Sequence, residues 1–255
     1  MRGFLATLRA AGAEAFANRR SFWIQVSSMV VNDLGWVAFW VIFYNRVGSV
    51  RGWDADRTLL LLAVFATSAG LVLGLFANVR WIGQMAADGG LDAVLSLPVA
   101  PLSHLLVRRI SSVNVGDIMF GLVLFAVTGS PTPTRTAIYL VGVVASSTLL
   151  VGFLLATQSL AFFAGRGETG EMGFNAILLL ANYPADMFTG MQKLVVFTAV
   201  PAAFVSAVPA RLVDEFDPLR AVEMLGAAAG FAALGWAVFT IGLRRYSSGS
   251  VWTQA

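Results

Sequence analysis

The chain has 255 residues, of which 58% are apolar and only 12% charged, with 17 basic and 14 acidic side chains. An ordinary soluble domain carries about 25% charged residues, so a water-soluble globule and a disordered chain are both excluded. The absence of Cys excludes a disulfide framework or a thiolate metal site, and continuous rather than alternating apolar runs exclude a β-barrel, which leaves a helical membrane protein.

Residues 1–21 predict an amphipathic helix lying in the inner interface. Phe4, Leu5, Leu8, Ala11, Ala15 and Phe16 share one face, while Arg2, Arg9 and Glu14 lie away from it. Arg9, Glu14, Arg19 and Arg20 interrupt any signal-peptide core. The helix is either a simple anchor or an elbow that orients the first span.

A span needs about 20 predominantly apolar residues. The first runs from Phe22 to Tyr44 and holds Asn32 and Asp33 near its middle, with Trp36 and Trp40 one turn apart, facing a partner subunit or lipid. The second runs from Thr58 to Asn78. The third, Ile110 to Gly129, is interrupted by Asn114 and Asp117. The fourth, Thr136 to Ala164, is longer than the bilayer requires and carries Gln158 towards its inner end. An ionisable group at membrane depth costs at least about 2.5–3.5 kcal/mol and must find a partner or water. Asn32, Asp33, Asn114, Asp117 and Gln158 therefore either line a substrate or water path or join helices by hydrogen bonds.

Between Glu171 and Pro209 two readings are open. In the preferred one, 171–192 is an interfacial helix and turn, and 194–212 is the fifth span, kinked by Pro201 and Pro209. In the other, 172–192 is the fifth span and 200–216 is re-entrant. The stretch around Pro201, Phe204 and Pro209, followed by Asp214-Glu215-Phe216-Asp217, is a candidate outer gate. The last span runs from Arg220 to Leu243, with Gly226-x-x-x-Gly230 offering a close helix contact. The expected fold is thus all-α and polytopic: 1–21 the elbow helix, 22–243 six transmembrane helices with a loop at 80–109, and 244–255 a tail.

Six crossings place both termini on one side. Under the preferred reading eleven Arg and Lys lie on the terminal side and six on the other, which makes the termini cytoplasmic. Sixteen of the basic residues are Arg, and the high isoelectric point reflects helix ends facing anionic headgroups rather than nucleic acid. The one lysine, Lys193, sits in Met191-Gln192-Lys193-Leu194, with no Gly-rich turn, so the chain carries no P-loop and hydrolyses no ATP itself. His104, the one histidine, has no carboxylate at ligand spacing, so no metal site is expected. A membrane enzyme would need a His pair, or a nucleophile beside a base, and neither occurs. A proton-coupled secondary transporter would rely on Asp33 and Asp117 and an internal repeat, which is not seen.

The loop after the second span carries the most specific local pattern. Gly89-Gly90 and Pro98 bound a predicted short helix, Leu91 to Leu97, in which Leu91, Val94 and Leu95 share an apolar face that asks for a partner. Asp88 and Asp92 stand at its N-terminal end, and Arg108 and Arg109 follow it, paired with lipid phosphate or with a partner's acidic groups.

This loop resembles one in the type-2 ABC exporter permeases, in a subfamily with a Gly-x-Leu-Asp…Leu…Pro-Val…Pro-Leu pattern. Asn182-Tyr183-Pro184, Phe188, Lys193-Leu194, Phe197, Pro201, Ala203-Phe204-Val205 and Pro209-Ala210 resemble the subfamily's Tyr-Pro…Lys…Pro-x-Ala-Phe-Val…Pro-Ala run. Leu243-Arg244-Arg245-Tyr246-Ser247-Ser248-Gly249 is a third match. Ser96 and Gly190 depart from the pattern, where a basic residue and a Pro are common. The resemblance implies a membrane subunit of an ATP-driven exporter in the bacterial plasma membrane. It pairs with a second permease, identical or a paralogue, and with two cytoplasmic ATPase subunits that bind ATP and Mg. It also implies that Asp88, Leu91, Asp92, Val94, Leu95 and Pro98 form the coupling contact, passing displacement to the second and third spans.

Overall fold

The computed structural model describes residues 9, 10, 12, 13 and 18–246. Most of the expected helix over 1–21, and the matched Ser247, Ser248 and Gly249, lie outside the described residues. Among the described residues the chain is helical, with one isolated bridge between Val50 and Trp53.

The first two helices are α1, Arg19–Val47, and α2, Ala55–Leu75. A 3-10 turn, Ala77–Trp81, leads to three short helices: α3, Ile82–Ala87; α4, Asp92–Leu95; and α5, Pro101–Val107. Then come α6, Val115–Thr128; α7, Pro133–Ser159; α8, Ala161–Ala164; and α9, Glu168–Leu180. After a 3-10 turn, Ala185–Met187, follow α10, Gly190–Phe197; α11, Ala202–Val205; α12, Ala207–Asp214; and α13, Pro218–Arg245. Four helices are long and apolar enough to cross a membrane: α1, α2, α7 with α8, and α13.

Each of these begins about one turn before its apolar run, because a polar side chain caps it. Asn18, Asp54, Thr132 and Asp217 each accept a backbone N–H from the first turn, and Pro133 and Pro218 follow two of the caps where a proline costs no hydrogen bond. The third helix starts later than its sequence suggests. Residues 108–114 are irregular, and the backbone N–H of Ser111 is satisfied by the carbonyl of Gly74.

The bundle has two polar ends. At one, which we call the Asp214 end, Arg57 and Arg135 both reach Asp214, and Trp53 donates to Asp186. At the other, the Leu91 end, Arg80 pairs with Glu171 and Tyr246 donates to Asp92. Glu171 near the start of α9 and Asp186 just beyond it thus lie at opposite ends, so 171–186 traverses the bundle. Lys193 and Arg211 both reach the one carboxylate of Asp186, at 3.1 and 2.8 Å. The two limits of 194–212 therefore meet at the same end, and that stretch cannot be a span. It is a hairpin of α10, α11 and α12, and the preferred reading of 194–212 as the fifth span is corrected. Lys193 accordingly moves to the Asp214 end.

Two apolar clusters fill the interior. One joins α7, α9 and α13 to the Leu91 end through Val79, Ile82, Leu91, Val94, Leu150 and Phe239. The other joins α1, α2 and the hairpin through Trp40, Trp53, Leu61, Tyr139 and Ala207. Trp36 and Trp40 both pack edge-on against Tyr183, and Trp40 donates to the carbonyl of Asn182, so they face their own chain. The α7–α13 crossing falls at Gly152 and Gly235, where a Cβ would strike the opposing backbone; Gly226 and Gly230 face open space and make no such contact.

Candidate functional site

The loop at the Leu91 end is seated by its own residues. Asp88 closes α3, and Gly89, at φ +74°, reverses the chain. The helix that follows is one turn, Asp92–Leu95, shorter than the expected Leu91 to Leu97. Leu91 and Val94 are 0% and 1% exposed, packed into the core with Leu105. They anchor the loop and are not available to a partner, which corrects two of the expected contact residues. Asp92 stays exposed while accepting from Tyr246 Oη at 2.9 Å, and Asp88 lies on the surface outside α4. What remains outward is Leu95 at 38%, Leu97 at 44% and the exposed Pro98. The sequence missed Leu97 because an ideal helix to that point would have turned it away; the chain leaves the helix at Ser96 instead.

Behind the loop, Gln158 is almost fully buried. Its Oε1 accepts from the N–H of Gly83 at 3.2 Å, and a Cβ on Gly83 or Gly170 would collide with the amide. Gln158 therefore joins α3, α7 and α9, and stands apart from the other intramembrane polar residues with which the sequence grouped it.

Those others do converge, between α1 and α6. Asn114 precedes the first turn of α6 and donates to Asp117 Oδ2 at 2.9 Å. The Asp117 carboxyl meets that of Asp33, and Asn32 also reaches Asp33. One oxygen of each, Asp33 Oδ2 and Asp117 Oδ1, is buried with no donor among the described residues. Beside Asp33 is a cavity of about 10 Å³, lined by Trp36, Phe65, Phe120 and Asn182 among others, room for about one water. Asp117 lies in the first turn of its helix, nearer the start than the sequence placed it.

At the Asp214 end the hairpin is held at a residue the sequence did not single out. Asp186 accepts from Trp53 Nε1, Lys193 Nζ and Arg211, and its backbone carbonyl accepts from Arg51. Burial alone would push its carboxyl up; the hydrogen bonds from Trp53 and Lys193 and the charge of Arg211 outweigh this and hold it below the usual aspartate value. The available signal was a lone acid in the Tyr183-Pro184-Ala185-Asp186 turn, seven residues before the one lysine. Of the expected gate residues, Pro201 marks the break before α11, and Phe204 packs edge-on against Phe197 across the hairpin. Pro209 does not interrupt anything. It lies in the first turn of α12, where its missing N–H is harmless, and the break falls three residues earlier at Ser206. Asp214 and Glu215 are tied to Arg57 at the start of α2.

Among the described residues no three His, Cys, Asp or Glu side chains gather to hold a metal ion. The chain matches a family described as ABC-2 family transporter protein over residues 30–250. No curated protein and no solved structure matches it.

Proposed function

The chain belongs to the ABC-2 family of transporter proteins, and we propose that it is the permease subunit of an ATP-driven exporter, paired with a second permease and driven by two separate ATPase subunits. One observation carries this reading: Leu95 and Leu97 stand exposed on a loop whose root, Leu91 and Val94, is locked into the core. A surface of that kind receives a push without folding away from it. The ATPase subunits, with their ATP and Mg, dock there.

On this reading the six crossings are α1, α2, α6, α7 with α8, α9, and α13, and the turn at 185–187 lies at the polar Asp214 end. The helices α6 and α9 are shorter than about 20 residues, and the re-entrant hairpin fills the depth beyond α9. With Lys193 moved, ten basic residues lie on the Leu91 side and seven on the other. The sign of the bias is kept, so the Leu91 end and both termini face the cytoplasm of a bacterial plasma membrane. The hairpin then faces outward, where Pro201 and Phe204 stand at the outer mouth.

Co-expression with a P-loop ATPase encoded beside this chain tests the reading. The expected result is a stable complex whose ATPase activity responds to the permease. A chain that binds no such subunit, or that transports alone on a proton gradient, overturns it.

A further inference from the structure

A push on Leu95 has to travel somewhere, and the loop's covalent neighbours transmit it poorly. The helix α2 ends at Phe76, outside helical geometry, and α6 is reached only through the irregular residues 108–114. The non-covalent links are stiffer. The Ala77–Trp81 turn grips α9 through Arg80, which pairs with Glu171 and lies 4.2 Å over the ring of Phe174. The helix α3 is pinned to α7 by Gly83 and Gln158, and Gly170 brings the backbone of α9 onto the same amide. The Gln158 Nε2 finds no acceptor among the described residues, so the side chain is seated there by shape and by its one hydrogen bond to Gly83. From this joint α9 runs the depth of the bundle to Asp186, which holds both limbs of the hairpin.

We propose that displacement of the Leu95 loop passes into α7 and α9 through the Gln158 joint, and along α9 to the hairpin at the Asp214 end, rather than into α2 and α6. This rests on the ATPase docking proposed above. Gln158 is a positioning residue in this scheme: it keeps α3 in register with α7 and α9 and touches no substrate. Two packed bodies that move as one are the kind of element a nucleotide-driven equilibrium can bias.

Because the chain lacks cysteine, single thiols can report on it. The test uses the complex with its ATPase and a Phe216→Cys reporter, which is 59% exposed beyond the hairpin. Its maleimide labelling rate is compared without nucleotide and with the ATPase trapped by ATP and vanadate. A several-fold change is expected. In Gln158→Leu the complex and its ATP hydrolysis should persist while that change is lost, and Gln158→Glu, which keeps the acceptor for Gly83, should restore it. Separately, Arg80→Cys with Glu171→Cys, bridged by a short bis-methanethiosulfonate that a reductant can cleave, should leave hydrolysis and the reporter response intact, since the two sites move together. A wild-type complex with no response at residue 216 overturns the proposal. So does a full response in Gln158→Leu, or a bridge that arrests turnover until it is cleaved. The bridge decides the matter if Gln158→Leu fails to fold. Failure to form any complex refutes the docking itself, a result distinct from all of these.

Discussion

Replacing Leu91 and Leu95 separately divides anchoring from docking. Leu91 is 0% exposed, and truncating a fully buried leucine to alanine costs about 2–5 kcal/mol, the upper part where the cavity cannot collapse. Leu91 belongs to the buried cluster that also holds Val79, Ile82, Val94 and Leu105, so little relaxation is open to it. Leu95 is 38% exposed and Leu97 44%; surface changes of this kind alter folding by roughly 0.5 kcal/mol at most. If the two are anchors in a partner's pocket, losing them costs about 2 kcal/mol or more in binding, a complex weaker by roughly 30-fold. Leu91→Ala should therefore lower the unfolding midpoint of the isolated chain in a denaturant titration from mild detergent. Leu95→Asp with Leu97→Asp should leave that midpoint in place and abolish capture of the ATPase subunit. The reasoning fails if Leu91→Ala unfolds like the wild type. It fails equally if the double variant destabilises the isolated chain as much as Leu91→Ala, or captures the ATPase with undiminished affinity.

Other outcomes follow from the two ends and the middle of the bundle. Asp186→Ala strands the buried Trp53 N–H and two partly exposed cations, at a cost of about 2–4 kcal/mol; Asp186→Asn, which still accepts from Trp53, should lose less, and equal losses in denaturant titrations would refute the assignment. Because the Asp186 carboxyl is held below its usual value, its stabilisation is complete above the ordinary aspartate range. It is lost only as pH falls through the depressed native value, so hairpin proteolysis should stay slow at mildly acid pH and accelerate below that range. In the middle, Asp33→Asn supplies an amide N–H beside Asp117 and should fold normally, whereas Asp33→Leu leaves a buried carboxyl oxygen without a polar neighbour and should cost roughly 1–3 kcal/mol; a Leu variant as stable as the Asn variant would show that the two carboxyls do not support each other. Gly235→Ala should disrupt the α7–α13 crossing while Gly226→Ala and Gly230→Ala are tolerated, judged by monodispersity in detergent.

The four long apolar helices were legible because burial in lipid requires long apolar runs, and hydropathy reports those directly. Their starts were not, because Asn18, Asp54, Thr132 and Asp217 cap first turns that are polar. The hairpin illustrates a deeper limit. The run from Leu194 to Leu212 is apolar and of span length, and its hairpin course is set by two cations meeting one carboxylate, a tertiary fact with no local signature. At the loop, spacing predicted that Leu91, Val94 and Leu95 share a face. The structure agrees that two of them point together, but into the core, since periodicity identifies a face and not what covers it. The pairing of Asn114 and Asp117 followed from i, i+3 spacing, whereas the approach of Asp33 depended on how α1 lies against α6.

The single lysine sits on the hairpin with its side chain about half exposed, gripping Asp186. Apart from the terminal amine, no other primary amine exists in the polypeptide. If the hairpin faces outward as proposed, a bulky acylating reagent that cannot permeate the membrane tags this chain in intact cells at that one position, and does so faster whenever the ammonium lets go of its carboxylate. The molecule thus carries a native beacon that reports which side the hairpin faces and whether its ion pair is closed.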